Sequence, residues 1–165
     1  MIIKTKKFKN RSLIKLIKQA ANFYATELVP DHFCKIYLDI NAGDFDVDGY
    51  CTHIDRYDFE IEINKNLTFE HMMITLAHEM VHLKQYATKQ LKSKFVGKNA
   101  VDVWNGAKYT NLQYHKQPWE KEASQLEEEL YHQFLLHSLT VGTLDFETIK
   151  LIDEQRGCPR PSINV

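Results

Sequence analysis

Residues His78-Glu79-Met80-Val81-His82 place two imidazoles and a carboxylate within five positions. On a helix, positions i and i+4 share a face, so His78 and His82 can point at one ion. Glu79 lies one residue round from His78, beside such an ion but outside its coordination shell. There a carboxylate can take a proton from water. The chemistry on offer is metal-assisted hydrolysis with Glu79 as the base. The bland alternative is a solvated helix face that carries two unrelated histidines. The flanks weigh against it. Met72, Met73, Ile74, Leu76, Ala77, Met80, Val81 and Leu83 surround the motif, and a helix apolar all round is a buried one. Buried imidazoles need partners, and one ion would satisfy both.

Two histidines do not complete a hydrolytic zinc site, which takes three protein ligands and keeps a position for water. The candidates for the third are His71, His115, Glu120 and Glu122. His71 is two helical turns before His78, too far to share its ion. Pro118 suits a helix start, because its missing N–H costs nothing there. Trp119, Ala123, Leu126, Leu130 and Phe134 then recur at threes and fours, so an amphipathic helix runs from Pro118 to about residue 138. Glu120 and Glu122 lie on opposite flanks of its apolar stripe, and the helical wheel does not choose between them. Tyr109, Tyr114 and His115 fall between the two helices and are the candidate donors to an oxyanion.

The pairing of H-E-x-x-H with a later E-x-x-A, here Glu120-Lys121-Glu122-Ala123, resembles the gluzincin zinc metallopeptidases. The closest likeness is to their smallest members, the minigluzincin-type and phage-encoded domains, and it covers residues from about 68 to 138. The resemblance implies a zincin-like domain that hydrolyses peptide bonds with zinc, with His78, His82 and Glu120 as ligands and Glu79 as base. Larger gluzincins often carry Asp four residues after the ligand glutamate, where it orients a histidine. Ser124 stands there in this chain, and Leu126 would stand there if Glu122 were the ligand. Leu76-Ala77-His78-Glu79-Met80-Val81-His82 also resembles SprT-type proteins. Those take a third histidine, and many carry a cysteine zinc ribbon; this chain contains no C-x-x-C. A further alternative is a metal-binding regulatory or interaction module of a phage-like protein, with little turnover.

Composition sets the frame for such a site. The 165 residues are 44% hydrophobic and 26% charged, with a net charge of −1. That predicts a single domain with a real core, followed by a tail at about 157–165. It also predicts no global attraction to nucleic acid or membrane. Cys34, Cys51 and Cys158 are odd in number and widely spaced. They form neither a disulfide framework nor a metal site, and a reducing cytoplasm is the expected compartment. No apolar h-region of a signal peptide follows Met1, and no run approaches the length of a membrane span. Residues 4–18 hold Lys4, Lys6, Lys7, Lys9, Arg11, Lys15 and Lys18 and no acid. Without interleaved aromatics this run reads as the solvated face of a first helix rather than a nucleic-acid arm. The expected partner is a peptide or protein, laid as an added strand along a sheet edge.

The elements that must position the site form an α+β pattern. Ser12 is the expected N-cap of a helix that runs to about Leu28 and is stopped by Pro30. Three strand-like runs follow at 33–40, 45–54 and 57–63. The last alternates Phe59, Ile61 and Ile63 with Asp58, Glu60 and Glu62, and a small, mostly antiparallel sheet is expected. Asp44, Asp46, Asp48 and Asp55 match spacings of a calcium-binding loop, but strand-like flanks argue for a hairpin instead. Thr68 caps the H-E-x-x-H helix, with Glu70 in its first turn. Runs at 95–104 and 108–112 flank Asn105-Gly106, a strong hairpin signal. Gly142 breaks the chain before a last helix at about 144–155.

Overall fold

The computed structural model describes residues 1–6, 10–42, 47–96, 99–145, 148–150 and 154. Along the chain come β1 (Ile2–Thr5), α1 (Arg11–Leu28), β2 (Lys35–Ala42), β3 (Gly49–Asp55) and β4 (Asp58–Asn64). They are followed by α2 (Phe69–Ala87), β5 (Leu91–Val96), β6 (Asn99–Trp104), β7 (Ala107–Tyr109), a 3-10 turn (Tyr114–Lys116) and α3 (Pro118–Thr140). The expected α+β class is what the chain adopts.

The alternation read in residues 58–63 is realised in β4: Phe59, Ile61 and Ile63 are buried, and Asp58, Glu60 and Glu62 lie on the other face. Ile36, Leu38 and Ile40 of β2 bury beside them. Two amphipathic helices cover this apolar face. α1 contributes Leu13, Ile17 and Tyr24, and α2 contributes Phe69, Met72, Met73 and Met80. α3 adds Ala123, Leu130 and Phe134, and all of these belong to one contiguous core. The opposite face of the sheet is polar and tied by ion pairs: Lys35 to Asp58 at 2.9 Å, and Lys6 to Asp39 at 2.7 Å and Glu60 at 3.3 Å.

The main sheet departs from the expected mostly antiparallel pairing. Its order is β1-β2-β4-β3, with β1–β2 and β2–β4 parallel and only β3–β4 antiparallel. For β1–β2 the reason is the crossover through α1, which returns the chain parallel; for β2–β4 it is that β3 passes to the far side of β4 and turns back antiparallel to it. β1, four residues long and mixed in character, gave no strand signal. β3 becomes an outer strand, beside the cleft described below. The small sheet β5-β6-β7 is antiparallel throughout.

Local signals fared unevenly. Thr68 caps α2 as expected, accepting from the His71 N–H at 3.3 Å. Asn10, not Ser12, caps α1, accepting from the Leu13 N–H at 3.0 Å, which puts Ser12 inside the helix. Asn105 and Gly106 turn the chain between β6 and β7 with φ of 47° and 88°, the left-handed pair that a two-residue hairpin wants. The run expected at 95–104 is divided between β5 and β6, and β5 begins earlier, at Leu91. Helix is present at 148–150 and 154; the rest of the expected last helix beyond Asp145, and the tail, lie outside the described residues. So do Lys7, Lys9, Asp44, Asp46 and Cys158. Cys34 is buried and Cys51 half-buried, both as free thiols. Among the described residues, no helix is long and apolar enough to cross a membrane.

Truncating a central strand should be costly and truncating an outer one should not. Ile61→Ala, at a fully buried position, is expected to lower unfolding free energy by about 2–5 kcal/mol. Ile54→Ala, at a site 55% exposed, is expected to stay within about 0.5 kcal/mol. Urea titration of both variants measures the difference.

Candidate metal centre

α2 is buried on nearly every side, and this holds the two histidines in fixed directions. Their rings stand at 80° to one another with centroids 4.8 Å apart. The Nε2 atoms are 3.1 Å apart. Glu120, in the first turn of α3, reaches both: Oε2 is 3.2 Å from His78 Nε2 and Oε1 is 3.4 Å from His82 Nε2. These three residues are the one group of metal-ligating type found among the described residues, with donor atoms all within 4.8 Å of one another.

The spacing tests whether an ion fits. Ligands about 2.0–2.1 Å from a tetrahedral ion lie roughly 3.3 Å from one another. The two nitrogens are 3.1 Å apart, and each lies 3.2 or 3.4 Å from a different oxygen of Glu120; with one ligand atom per residue, all three lie within 4.8 Å of one another. The tautomers agree with that fit. Gln85 is fully buried, and its amide nitrogen donates to the Trp119 carbonyl and to Glu122 Oε2, both at 2.9 Å. Its oxygen therefore faces His82 Nδ1 as an acceptor, at 2.9 Å, and the ring donates from that side. His78 Nδ1 donates to Glu127 Oε2 at 2.5 Å. With both N–H groups turned outward, each neutral ring presents an Nε2 lone pair to the centre. Two lone pairs and a carboxylate converge with no donor among them. The arrangement can hold a metal ion, and without one it needs protons.

The charge balance shows those protons. Burial works to lower His78, but hydrogen bonds to Glu120 and Glu127 overcome it and raise the ring to about 10. His82 is opposed by burial in the same way and is raised by Glu120. Burial works to raise Glu120, yet both imidazoles hold it far below the ordinary carboxylate range.

Glu79 is 5% exposed, and its carboxylate receives no hydrogen bond from a described residue. Burial pushes it up to about 7, against the pull of His82 and His78. Strand β3 passes directly over it. A Cβ added at Gly49 would lie 3.0 Å from Glu79 Oε1 and 2.7 Å from Thr75 Cγ2, so the close approach requires glycine. The centre opens into a cleft of about 740 Å³ between residues 47–51, α2, Tyr114 and α3.

The other sequence candidates are placed as follows. Glu122 turns away from the centre, accepting from Lys84 Nζ at 2.8 Å and from Gln85. The wheel could not separate it from Glu120; packing behind His82 does. His115 is exposed and outside the cleft lining, and the group contains no third histidine. His71 is on the rim. Tyr109 packs edge-on against Trp119, with centroids 5.9 Å apart, away from the cleft. Tyr114 lines the cleft, and partial desolvation together with the neighbouring Glu120 carboxylate raises its pKa. Two supports were missed. Glu127, rather than the residue at position 124, orients His78. It lies two turns beyond Glu120, an i, i+7 relation that keeps both carboxylates on one face. Gln85, three residues after His82, orients the second ring. Both relations were open to reading once a metal-bearing face had been assumed.

No family model, curated protein or solved structure matches the chain. The residues therefore carry the argument by themselves.

Metal content and affinity test the assignment. Glu120→Ala is expected to lose a bound divalent ion on dialysis, and Glu122→Ala to keep it. Glu127→Gln should weaken affinity about 10–100-fold, as loss of an orienting carboxylate does. Because His78 and His82 are raised in the metal-free chain, the ion must displace their protons. Affinity should thus rise with pH until His78 loses its proton unaided, near pH 10, with about one to two protons released per ion at neutral pH. Titration calorimetry in buffers of different ionisation enthalpy reads that release.

Proposed function

We propose that the chain is a zinc-dependent peptidase that hydrolyses peptide bonds in a protein or peptide. One observation carries the reading: a buried carboxylate without a hydrogen-bond partner among the described residues, Glu79, stands beside a two-histidine, one-glutamate group at the base of an open cleft. The donor set of two imidazole nitrogens and one carboxylate suits zinc. The H-E-x-x-H and E-x-x-A resemblance supports the same reading. The cytoplasm remains the expected compartment.

His78, His82 and Glu120 would hold the ion. Bound there, zinc supplies Lewis-acid chemistry, polarising a carbonyl and making a water more acidic. The chain's own groups do the proton work. Glu79 accepts a proton from the attacking water and returns it to the departing amine. Its burial keeps its basicity near neutral instead of at the ordinary carboxylate range, which suits a base working near pH 7. Glu127 and Gln85 lock the two rings in the tautomer that ligation needs. Tyr114, alone of the three sequence candidates in reaching the cleft, is placed to donate its hydroxyl proton toward a developing oxyanion. β3 is one of the two outer strands of its sheet, and its residues 49–51 line the cleft. A substrate segment laid along it would bring a backbone carbonyl to the centre.

Glu79→Gln is the decisive variant. It should retain one zinc per chain and the wild-type circular dichroism while losing hydrolysis of a casein or peptide-mixture substrate by about 10²–10⁴-fold, the contribution of a positioned base. Retained hydrolysis sinks the reading, and loss of zinc makes Glu79 a ligand. Tyr114→Phe should lower kcat more than it changes KM. The pH profile carries a sign as well. Glu79 acts ionised, and a nearby cation lowers its pKa, so kcat/KM should fall on acidification along a limb at or below pH 7.

A further inference from the structure

The cleft is strongly one-sided in charge, although the chain as a whole carries a net charge of only −1. Asp48 enters it from the strand side, Glu127 and Glu128 from α3, and Glu79 and Glu120 from its base. Among the described residues, no lysine or arginine lines it, and His71 is the one basic group besides the two imidazoles at its centre. A divalent ion offsets two of those carboxylates and leaves the wall acidic. Two aromatic rings stand at the rim, Tyr50 at 48% and Tyr114 at 63% exposure. Glu79, nine-tenths buried and without a hydrogen-bond partner among the described residues, is aimed into the same space.

Such a wall discriminates between side chains. An acidic residue of a bound segment would face like charge across a partly desolvated cleft. A lysine or arginine would meet carboxylates, and its cation could rest on a tyrosine face. We propose that the cleft selects segments carrying a lysine or arginine beside the bond presented to the centre, with Asp48 and Glu128 as the carboxylates that receive the cation. The position of the bond rests on the peptidase reading. The charge selection rests on the cleft wall alone. Neither Asp48 nor Glu128 belongs to the metal group or to its supports. Exposed carboxylates on the two walls of the cleft are together worth about three- to tenfold in affinity for a cationic segment, and salt should reduce the effect.

The test uses zinc-loaded Glu79→Gln protein and fluorescent decapeptides that differ only in lysine or glutamate at the two central positions. Anisotropy titrations should give a lysine-peptide Kd lower by about three- to tenfold, with the gap narrowing as salt is raised. Adding Asp48→Asn and Glu128→Gln should bring the Kd ratio close to one, in protein of unchanged zinc content and circular dichroism. Equal affinities for the two peptides overturn the inference. So does a lysine preference that survives in the double-neutral variant. Cleavage of the same peptides by the wild-type protein reads the peptidase proposal separately. Selective binding without cleavage upholds the charge selection and removes the peptidase reading, and cleavage without charge selection does the reverse.

Discussion

Three acceptors that converge without a donor are the constraint on which the rest of the molecule depends. His78 Nε2 and His82 Nε2 lie 3.1 Å apart, and each is within 3.4 Å of one oxygen of the Glu120 carboxylate. Such a group repels itself unless a cation or protons fill its centre. Everything packed around it acts to keep it from relaxing. α2 is buried on most of its circumference, so its histidines cannot swing to solvent. Gln85 and Glu127 hold the outer nitrogens, so neither ring can turn its N–H inward without losing a buried hydrogen bond. The fold stores an electrostatic need at one place and leaves one route, the cleft, by which it can be met.

The sheet contributes by contact at a single point. β3 belongs to the edge of the main sheet, yet its first residue rests on α2 closely enough that a methyl group would strike both Thr75 and Glu79. The Glu79 carboxylate is therefore roofed by backbone. This explains how Glu79 comes to be buried yet without a hydrogen-bond partner among the described residues, since a larger residue at position 49 would displace it.

Much of the site was legible because its parts are local. Two histidines at i and i+4, a glutamate between them and apolar flanks all lie within one helix, where spacing fixes direction. Thr68 as a cap and Asn105-Gly106 as a turn are local in the same sense. What could not be read is what depends on separate segments meeting. Glu120 and Glu122 are equivalent on a wheel, and only the pairing of Glu122 with Lys84 and Gln85 tells them apart. Glu127 is hidden in the same way: Ser124 stands one turn beyond Glu120, and the helix face returns to His78 only at the second turn. The parallel register of β1, β2 and β4 was also hidden. Alternation reports which face of a strand is buried and says nothing of which neighbour it pairs with.

The order of the ligands along the chain has its own consequence. His82 and Glu120 are far apart in sequence but adjacent in space, and the segment between them contains the whole of the small sheet β5-β6-β7. An ion bound at both ends closes this segment, about 40 residues long, into a ring. A covalent cross-link of that span restricts the unfolded chain by about 4 kcal/mol in the loop-entropy model. An ion that can leave makes the restriction reversible. Metal occupancy would then govern how cooperatively the hairpin region melts with the helices, and amide exchange in β5–β7 would become a distant reporter of an event at the base of the cleft.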